Sequence, residues 1–600
     1  MGFPFVINSL FADKDSKRHI DATLDVLPEN CHQSLMDVYY VILGAESLRV
    51  ANLFLLQITE TLNNLPDDCI EPVLTTYGSF YRSDSADKAN LFLSQVEQHH
   101  AIIARLPDYA VSIFLEKLDC LVKNKRIDLI ANMTGLWAIK LDNDDIKQNA
   151  ENIANKCKQI IVSDGIDYAI EYAEKLDVTF ADVGVFSDDP EPRLPHPRWW
   201  QGKIKRLRDQ GREHLSQILG LLKKHISQYS YNYQQQKHID SVLMLADNVA
   251  VSPDGVAVNM LDIAKTAIRG RFSRLLNWSD GMGVYAEKHG HKCAMYTITC
   301  PSKMHPVSKN YDGTTTREAQ RYLSNLWNQA NARFKKRKIY PYGFRVAEPH
   351  KKDGAVHWHV LLFAPLDVLN KIDEILNDHA MRVDGEELGA DKHRYKFDLI
   401  DKEKGGAKPS SYLFKYLMKG LGGRDDYTAD DIDKIITEKL STVKAWARTH
   451  GIRQVQMVGG VSVGVWNELR SIKDELEDSH LEKMRLACCD GDFCAFFELQ
   501  GGHTIGKTKH YARPHRESVK TVTERIDTET GEIIEDVIEA LNTYGEVIEK
   551  VVGIKTGDQV FFNHREKWSI SWAKKDDLSD LGKLIVTQTK RKNTASKTLN

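Results

Sequence analysis

In the stretch "AVHWHVLLF", two histidines stand two residues apart. On a strand, side chains alternate between faces, so His357 and His359 point one way and Val356, Trp358 and Val360 the other. Leu361 and Phe363 continue the histidine face, leaving two imidazoles at one end of an apolar surface. The preceding "KKDG" is a turn with Asp-Gly at its end. Pairing around that turn brings Glu348 near His357. Two imidazoles and a carboxylate with open positions suit a divalent ion that must also bind substrate. The plain alternative is a pair of half-exposed histidines on a sheet. An H-x-H pair alone is a weak signal, and the strand context with Glu348 strengthens it.

The second element is "YLFKY". Tyr412 and Tyr416 are four residues apart on an expected helix and share a face, with Lys415 and Lys419 beside them. Tyrosines at that spacing are also common as core contacts. Beside a metal ion, they suit phosphoryl transfer. The ion polarises phosphorus, and a phenolate attacks in line, expelling a deoxyribose 3′-hydroxyl and leaving a 5′-phosphotyrosine. A free phenol has a pKa near ~10, so the phenolate needs help from the ion or a lysine. The covalent link conserves the energy of the phosphodiester, so rejoining needs no ATP. A second tyrosine on the same face can carry out the reverse exchange.

"GGHTIGKT", Gly501 to Thr508, reads literally as a phosphate-binding loop with Lys507 and Thr508 in place. Such a loop works only between a buried strand and a helix N-terminus. "CAFFELQ" could supply the strand, but Pro514 spoils a helix in "KHYARPHRE". Fewer than 100 residues follow, too few for a nucleotide-binding domain. ATP is therefore not expected as a cofactor. Cys488, Cys489, Cys494 and His503 could be imagined as a zinc site, but adjacent cysteines converge poorly on one tetrahedron.

These residues must be positioned by the elements around them. Between 286 and 425, strand and helix signals alternate. "KCAMYTITC", "YPYGFRVAEPH", "AVHWHVLLFAP" and "RYKFDLI" read as strands. "TREAQRYLSNLWNQANARFKKRK" reads as a helix with Leu323, Trp327, Ala330 and Phe334 along one face. "LDVLNKIDEILNDHA" and "KPSSYLFKYLMKG" are further helices. The order β-α-β-β-α-β-α is that of a ferredoxin-like antiparallel sheet with helices on one face.

The whole chain is expected to be α+β and multidomain, as 600 residues are too many for one core. Residues 1–190 read as a helical accessory domain. Within them "VYYVILGAESLRVANLFLLQI" is expected as one buried helix, being too interrupted by charge to span a membrane. The proline-rich "DDPEPRLPHP" is a linker. A basic helical region follows over 195–285, opened by Arg198, Lys203, Lys205, Arg206 and Arg208, then a tyrosine-rich "QYSYNYQQQ". Cations neutralise phosphates and rings stack bases, so this region could bind DNA; a solvated helix face and a polar loop would look similar. The nuclease domain spans 286–425, a helical region 426–500, and a mixed region 501–600 containing a "TETGE" turn and a disordered basic tail. The net charge of −3 makes any basic surface local. Nine cysteines without framework spacing suggest reduced thiols in a cytosol-like compartment. The N-terminus lacks the pattern of a signal peptide, and Val6 argues against myristoylation.

With its H-hydrophobic-H element and paired tyrosines, the chain resembles the HUH endonucleases, in their two-tyrosine branch. More narrowly it resembles the bacteriophage replication gene A protein family, the rolling-circle initiators of tailed temperate phages. "RWWQGKIKRLR", "YTITCPSKMHP", "VQMVGGVSVGVWNELR" and "LNTYGEVIEKVVGI" also look like segments of that family, so the resemblance covers about residues 195 to 570. It implies that His357 and His359 hold one Mg2+ or Mn2+ ion, and the position of Glu348 across the hairpin makes it the expected third ligand. It makes Tyr412 and Tyr416 nucleophiles, with Lys415 beside them in the site. The implied partners are single-stranded or supercoiled origin DNA, a host helicase and a host DNA polymerase, in the bacterial cytoplasm and without a membrane. A transposase or relaxase with the same chemistry, or a non-catalytic DNA-binding regulator, remains an alternative.

Overall fold

The computed structural model describes residues 20–83, 86–178, 193–400, 411–412, 415, 440–504, 509–526, 533–563 and 568–571. The first part of the proline-rich linker, the whole "TETGE" turn and the basic tail lie outside them. The chain divides into two compact units, Met1–Leu221 and Leu222–Asn600, a division that falls inside the 195–285 stretch.

All the longer elements described in the first unit are helices. The apolar run expected as one helix is two, His32–Ala45 and Leu48–Leu62. Ser47 is extended between them, and its hydroxyl accepts a hydrogen bond from the Val50 amide, so a serine starts a new helix where one could have continued. A reciprocal cap between Asp142 and Asp145 opens the helix Asn143–Ser163. The unit ends in α1 (Pro197–Ile218), which carries a proline in its first turn and buries Trp199 and Trp200.

The second unit is built on a five-stranded antiparallel sheet. Its strands are β1 (Lys292–Thr299), β2 (Tyr342–Pro349), β3 (Val356–Ala364), β4 (Tyr395–Ile400) and β5 (Val455–Val458). They lie in the order β4-β1-β3-β2-β5. The connections between strands follow from the sequence between them. α2 (Gln228–Ala246) and α3 (Met260–Lys288) precede the sheet, so the tyrosine-rich stretch is helical rather than a loop. α4 (Thr316–Lys336) links β1 to β2 and is opened by a capping box between Thr315 and Glu318. A tight hairpin links β2 to β3, and α5 (Leu366–Ala380) leads towards β4.

One face of the sheet, with Trp358, Val360 and Leu362, packs on α4 and α5 through Leu323, Ala330, Phe334, Leu369 and Leu376. The expectation of helices on one face only is corrected by the other face. There Leu361, Phe363, Phe344 and Met295 pack on Met282 and Tyr285 of α3 and on α7 (Val463–Leu469), α8 (Ser479–Asp490) and α9 (Phe493–Leu499). The physical reason lies in β3 itself, where burial alternates only from Val356 to Val360 and is complete from Val360 to Ala364. A strand apolar on both sides needs a cover on both. α6 (Thr442–His450), capped by Ser441, lies between β4 and β5 in sequence and packs its Trp446 into the α4–α5 side.

Beyond α9 come a three-stranded sheet of β6 (Arg513–Ser518), β9 (Glu549–Thr556) and β10 (Gln559–Phe562), and a separate hairpin of β7 (Lys520–Ile526) and β8 (Ile533–Glu539).

Candidate active site

The hairpin register places Glu348 directly opposite His357, and Val346 opposite His359. On the other side of β3, Thr299 faces His357 and Thr297 faces His359. One end of the face therefore presents Glu348, His357, His359 and two threonines, while the other end is covered by apolar packing. The two imidazole Nε2 atoms stand 3.1 Å apart. Glu348 Oε2 lies 3.6 Å from His359 Nε2 and 4.0 Å from His357 Nε2. All three side chains are largely buried, with 9 to 17% of each exposed.

This donor set fits a divalent cation. Two nitrogen ligands at right angles, each about 2.1 Å from one ion, would lie about 3 Å apart. The Thr297 hydroxyl is 3.1 Å from His359 Nδ1, so it can fix the ring with Nε2 turned towards Glu348 and His357. A carboxylate and two nitrogens within reach of one point form the three-ligand, open-sided arrangement that leaves room for substrate.

Next to it lies a cluster that reasoning from sequence missed. Asp353, in the turn between β2 and β3, is fully buried. One of its oxygens is 2.9 Å from His305 Nδ1 and the other 3.0 Å from His350 Nδ1. Burial alone would raise its pKa, but the bonds from His305 and His350 win and hold the carboxyl well below the usual carboxylate range. The same bond raises His350. The rings of His350 and His357 are 6.3 Å apart, so this brace adjoins the proposed ligands. His350-x-x-Asp353, running from the residue before "KKDG" to the aspartate within it, was a local signal; His305, 48 residues earlier than Asp353, had none. His225, buried near Thr442, is pushed down to about 4 by burial and then by Lys224, which keeps it neutral near pH 7.

Tyr412 is helical, half-buried, and packs against the apolar cluster on the histidine face of the sheet. Lys415 is helical and exposed. Tyr416 lies outside the described residues, as do Lys507 and Thr508.

The expected DNA contacts lie in the first unit on α1. Arg198 and Arg206 are exposed and Lys205 half-buried. Lys203 sits 4.8 Å over the Trp199 ring. Arg208 is buried, and its guanidinium binds Asp209 and Asn143.

"CAFFELQ", considered as a strand, is the helix α9. Gly501 and Gly502 close it, their amides bonding to Glu498 and Phe497 carbonyls with left-handed backbone at both. The loop thus follows the C-terminal, carbonyl end of a helix, where the dipole disfavours an anion. Cys488 is buried and Cys489 exposed, on a helix that turns adjacent residues apart, and all nine cysteines are free. Among the described residues no helix is long and apolar enough to cross a membrane.

Residues 191–424 match the family described as bacteriophage replication gene A protein. A probable replication protein of Pseudoalteromonas phage PM2 is 31% identical over 509 residues, covering 76% of this chain and 75% of that protein. The replication gene A protein of Escherichia phage P2 is 28% identical over 60% of this chain and 48% of its own length. A probable replication endonuclease from a prophage-like region of Salmonella typhi is 28% identical over 52% of this chain and 42% of its own length. The chain thus spans about half or less of the latter two. No solved structure matches it.

Proposed function

This chain belongs to the bacteriophage replication gene A protein family, and from that premise we propose that it starts rolling-circle replication by nicking one strand at an origin. The observation that carries the proposal is the convergence of Glu348, His357 and His359 on one point at the uncovered end of the sheet. These three residues would hold one Mg2+ or Mn2+ ion, which when bound neutralises charge on the non-bridging oxygens of a phosphodiester. Thr297 orients His359, and the Asp353 brace stiffens the turn that joins the strands carrying Glu348 and His357. Tyr412 or Tyr416 attacks phosphorus through its phenolate oxygen. The new bond is Tyr O–P; the bond to the 3′ oxygen breaks, and that oxygen takes a proton to become a 3′-hydroxyl. The 5′ end stays on the protein, and the 3′ end is open to a host polymerase. Lys415 is proposed to ease loss of the phenol proton. Rejoining reverses these steps without ATP, and a host helicase supplies unwinding. Arg198, Lys203, Lys205 and Arg206 of α1 are proposed to bind origin DNA in addition.

The test is a denaturing gel after incubation with single-stranded origin DNA and Mg2+. A nicked, protein-linked strand is expected from the wild type. His357→Ala should lose nicking by at least about 100-fold, the scale of a lost metal-site interaction, while keeping its circular dichroism. Undiminished nicking by His357→Ala, or by the wild type in EDTA, would sink the metal assignment. DNA binding without any nick would favour a non-catalytic regulator.

A further inference from the structure

The core takes up most of α6: Ala445, Trp446, Ala447, Thr449 and His450 are buried. The stripe it leaves is cationic. Lys444 and Arg448 are one helical turn apart, the first half-buried and the second exposed. Arg453, exposed, follows just before β5, and Arg271, exposed, lies on α3. Arg448 and Arg271 lie close enough to Lys444 to act on it, and Arg453 close enough to act on Arg345. Burial, then Arg448 and Arg271, lower the Lys444 ammonium to about 8. Burial, then Arg453, lowers the Arg345 guanidinium of β2. No carboxylate acts on Lys444, and none of the four forms an ion pair among the described residues. Like charges gathered where water is partly excluded are unfavourable unless an anion arrives.

Their position says which anion. The Trp446 indole of α6 donates to the Gly354 carbonyl, 2.9 Å away in the turn between β2 and β3. The Gln454 carbonyl, next to Arg453, accepts from the Ala347 amide at 2.8 Å, one residue before Glu348. The cations therefore border the end of the sheet that carries Glu348 and His357. They are spread over α3, α6 and the approach to β5 rather than converging on one point. That distribution suits an extended polyanion better than a single phosphate.

We infer that Lys444, Arg448, Arg453 and Arg271 form a phosphate track along the β5 edge of the sheet, holding the single DNA strand that leads to the metal centre. This rests on the proposed nuclease reading for the identity of the polyanion.

The experiment is fluorescence anisotropy of a labelled oligothymidylate with the full chain in EDTA, where no cutting occurs, across a range of NaCl concentrations. Each phosphate contact on a single strand contributes about 0.7 to the slope of log K against log salt. R448Q/R453Q should weaken binding about 10-fold or more and lower the slope by about 1.4. R448K/R453K should restore the slope, because the charge is kept. Thermal melting and Mn2+ titration should match the wild type, since neither arginine belongs to the core or to the ligand set. An unchanged affinity and slope in R448Q/R453Q would overturn the track. So would inorganic phosphate competing as well as the oligonucleotide at equal phosphate concentration. Because the readout is binding alone, a wild type that binds through these residues yet never nicks would contradict the nuclease reading and leave the track standing.

Discussion

His357 and His359 meet at 3.1 Å because a strand returns to the same face every second residue, and that period was legible in the sequence. Glu348 was legible too, since the hairpin turn sets the register across from His357. His305 was not, because it reaches Asp353 from a loop whose path depends on the whole sheet. The Asp353 brace gives a prediction at this scale. Removing one partner from a buried, hydrogen-bonded pair typically costs about 3 kcal/mol or more. Asp353→Ala should lower stability by that order in urea unfolding at neutral pH. The sign with pH follows from the depressed carboxyl. A group whose folded pKa lies below its unfolded value stabilises above the unfolded value, about 4 for a carboxylate, and loses that contribution as pH falls through the folded value. The gap between wild type and Asp353→Ala should therefore narrow on acidification below about pH 4. A gap that is constant with pH would show that the brace is not ionic.

At the scale of elements, the strands and helices of the central sheet were largely readable, because period and turn chemistry agree along them. Leu323, Trp327, Ala330 and Phe334 are all buried along one face of α4, as their spacing implied. The second cover of the sheet was not readable, since α3 and α7 to α9 lie far from β3 in sequence and nothing local ties them to it. One glycine holds the hairpin together. A Cβ on Gly343 of β2 would stand 2.0 Å from the Leu361 carbonyl oxygen. Gly343→Ala should push β2 off β3 and cost about 1–3 kcal/mol, the usual scale of such local strain. It should also weaken Mn2+ binding, because Glu348 lies on the displaced strand. Wild-type Mn2+ affinity in a folded Gly343→Ala variant would separate the hairpin register from the ion site. "GGHTIGKT" belongs to this scale as well, since its meaning depends on what flanks it. With helix α9 before it and β6 after it, the order is the reverse of a phosphate-binding loop. Lys507→Ala should leave nicking unchanged, and the wild type should show no DNA-stimulated ATP turnover. ATP hydrolysis abolished by that substitution would overturn this reading.

At the scale of the whole molecule, the helical first unit and the sheet-bearing second unit each have their own core. The split at residue 221 was hidden in the sequence, because α1 continues the helical pattern of the first unit while its basic residues suggested the start of a DNA-binding region. The proposed reaction asks most of the molecule, since in it one active site must cut, hold an end and rejoin it. Under the proposed mechanism the two tyrosines take turns, because only one phenol at a time can stand in line with the scissile phosphate. Tyr412→Phe and Tyr416→Phe should each keep part of single-strand cleavage and lose release of closed circles, which needs a free phenol while the other is esterified. The most direct measurement is peptide mapping of the covalent protein–DNA adduct formed with single-stranded origin DNA and Mg2+, on the wild type and on the Tyr412→Phe/Tyr416→Phe double variant. The account predicts an adduct on Tyr412 or Tyr416 in the wild type and none in the double variant. An adduct that persists in the double variant, or that maps outside residues 409–420, would contradict it.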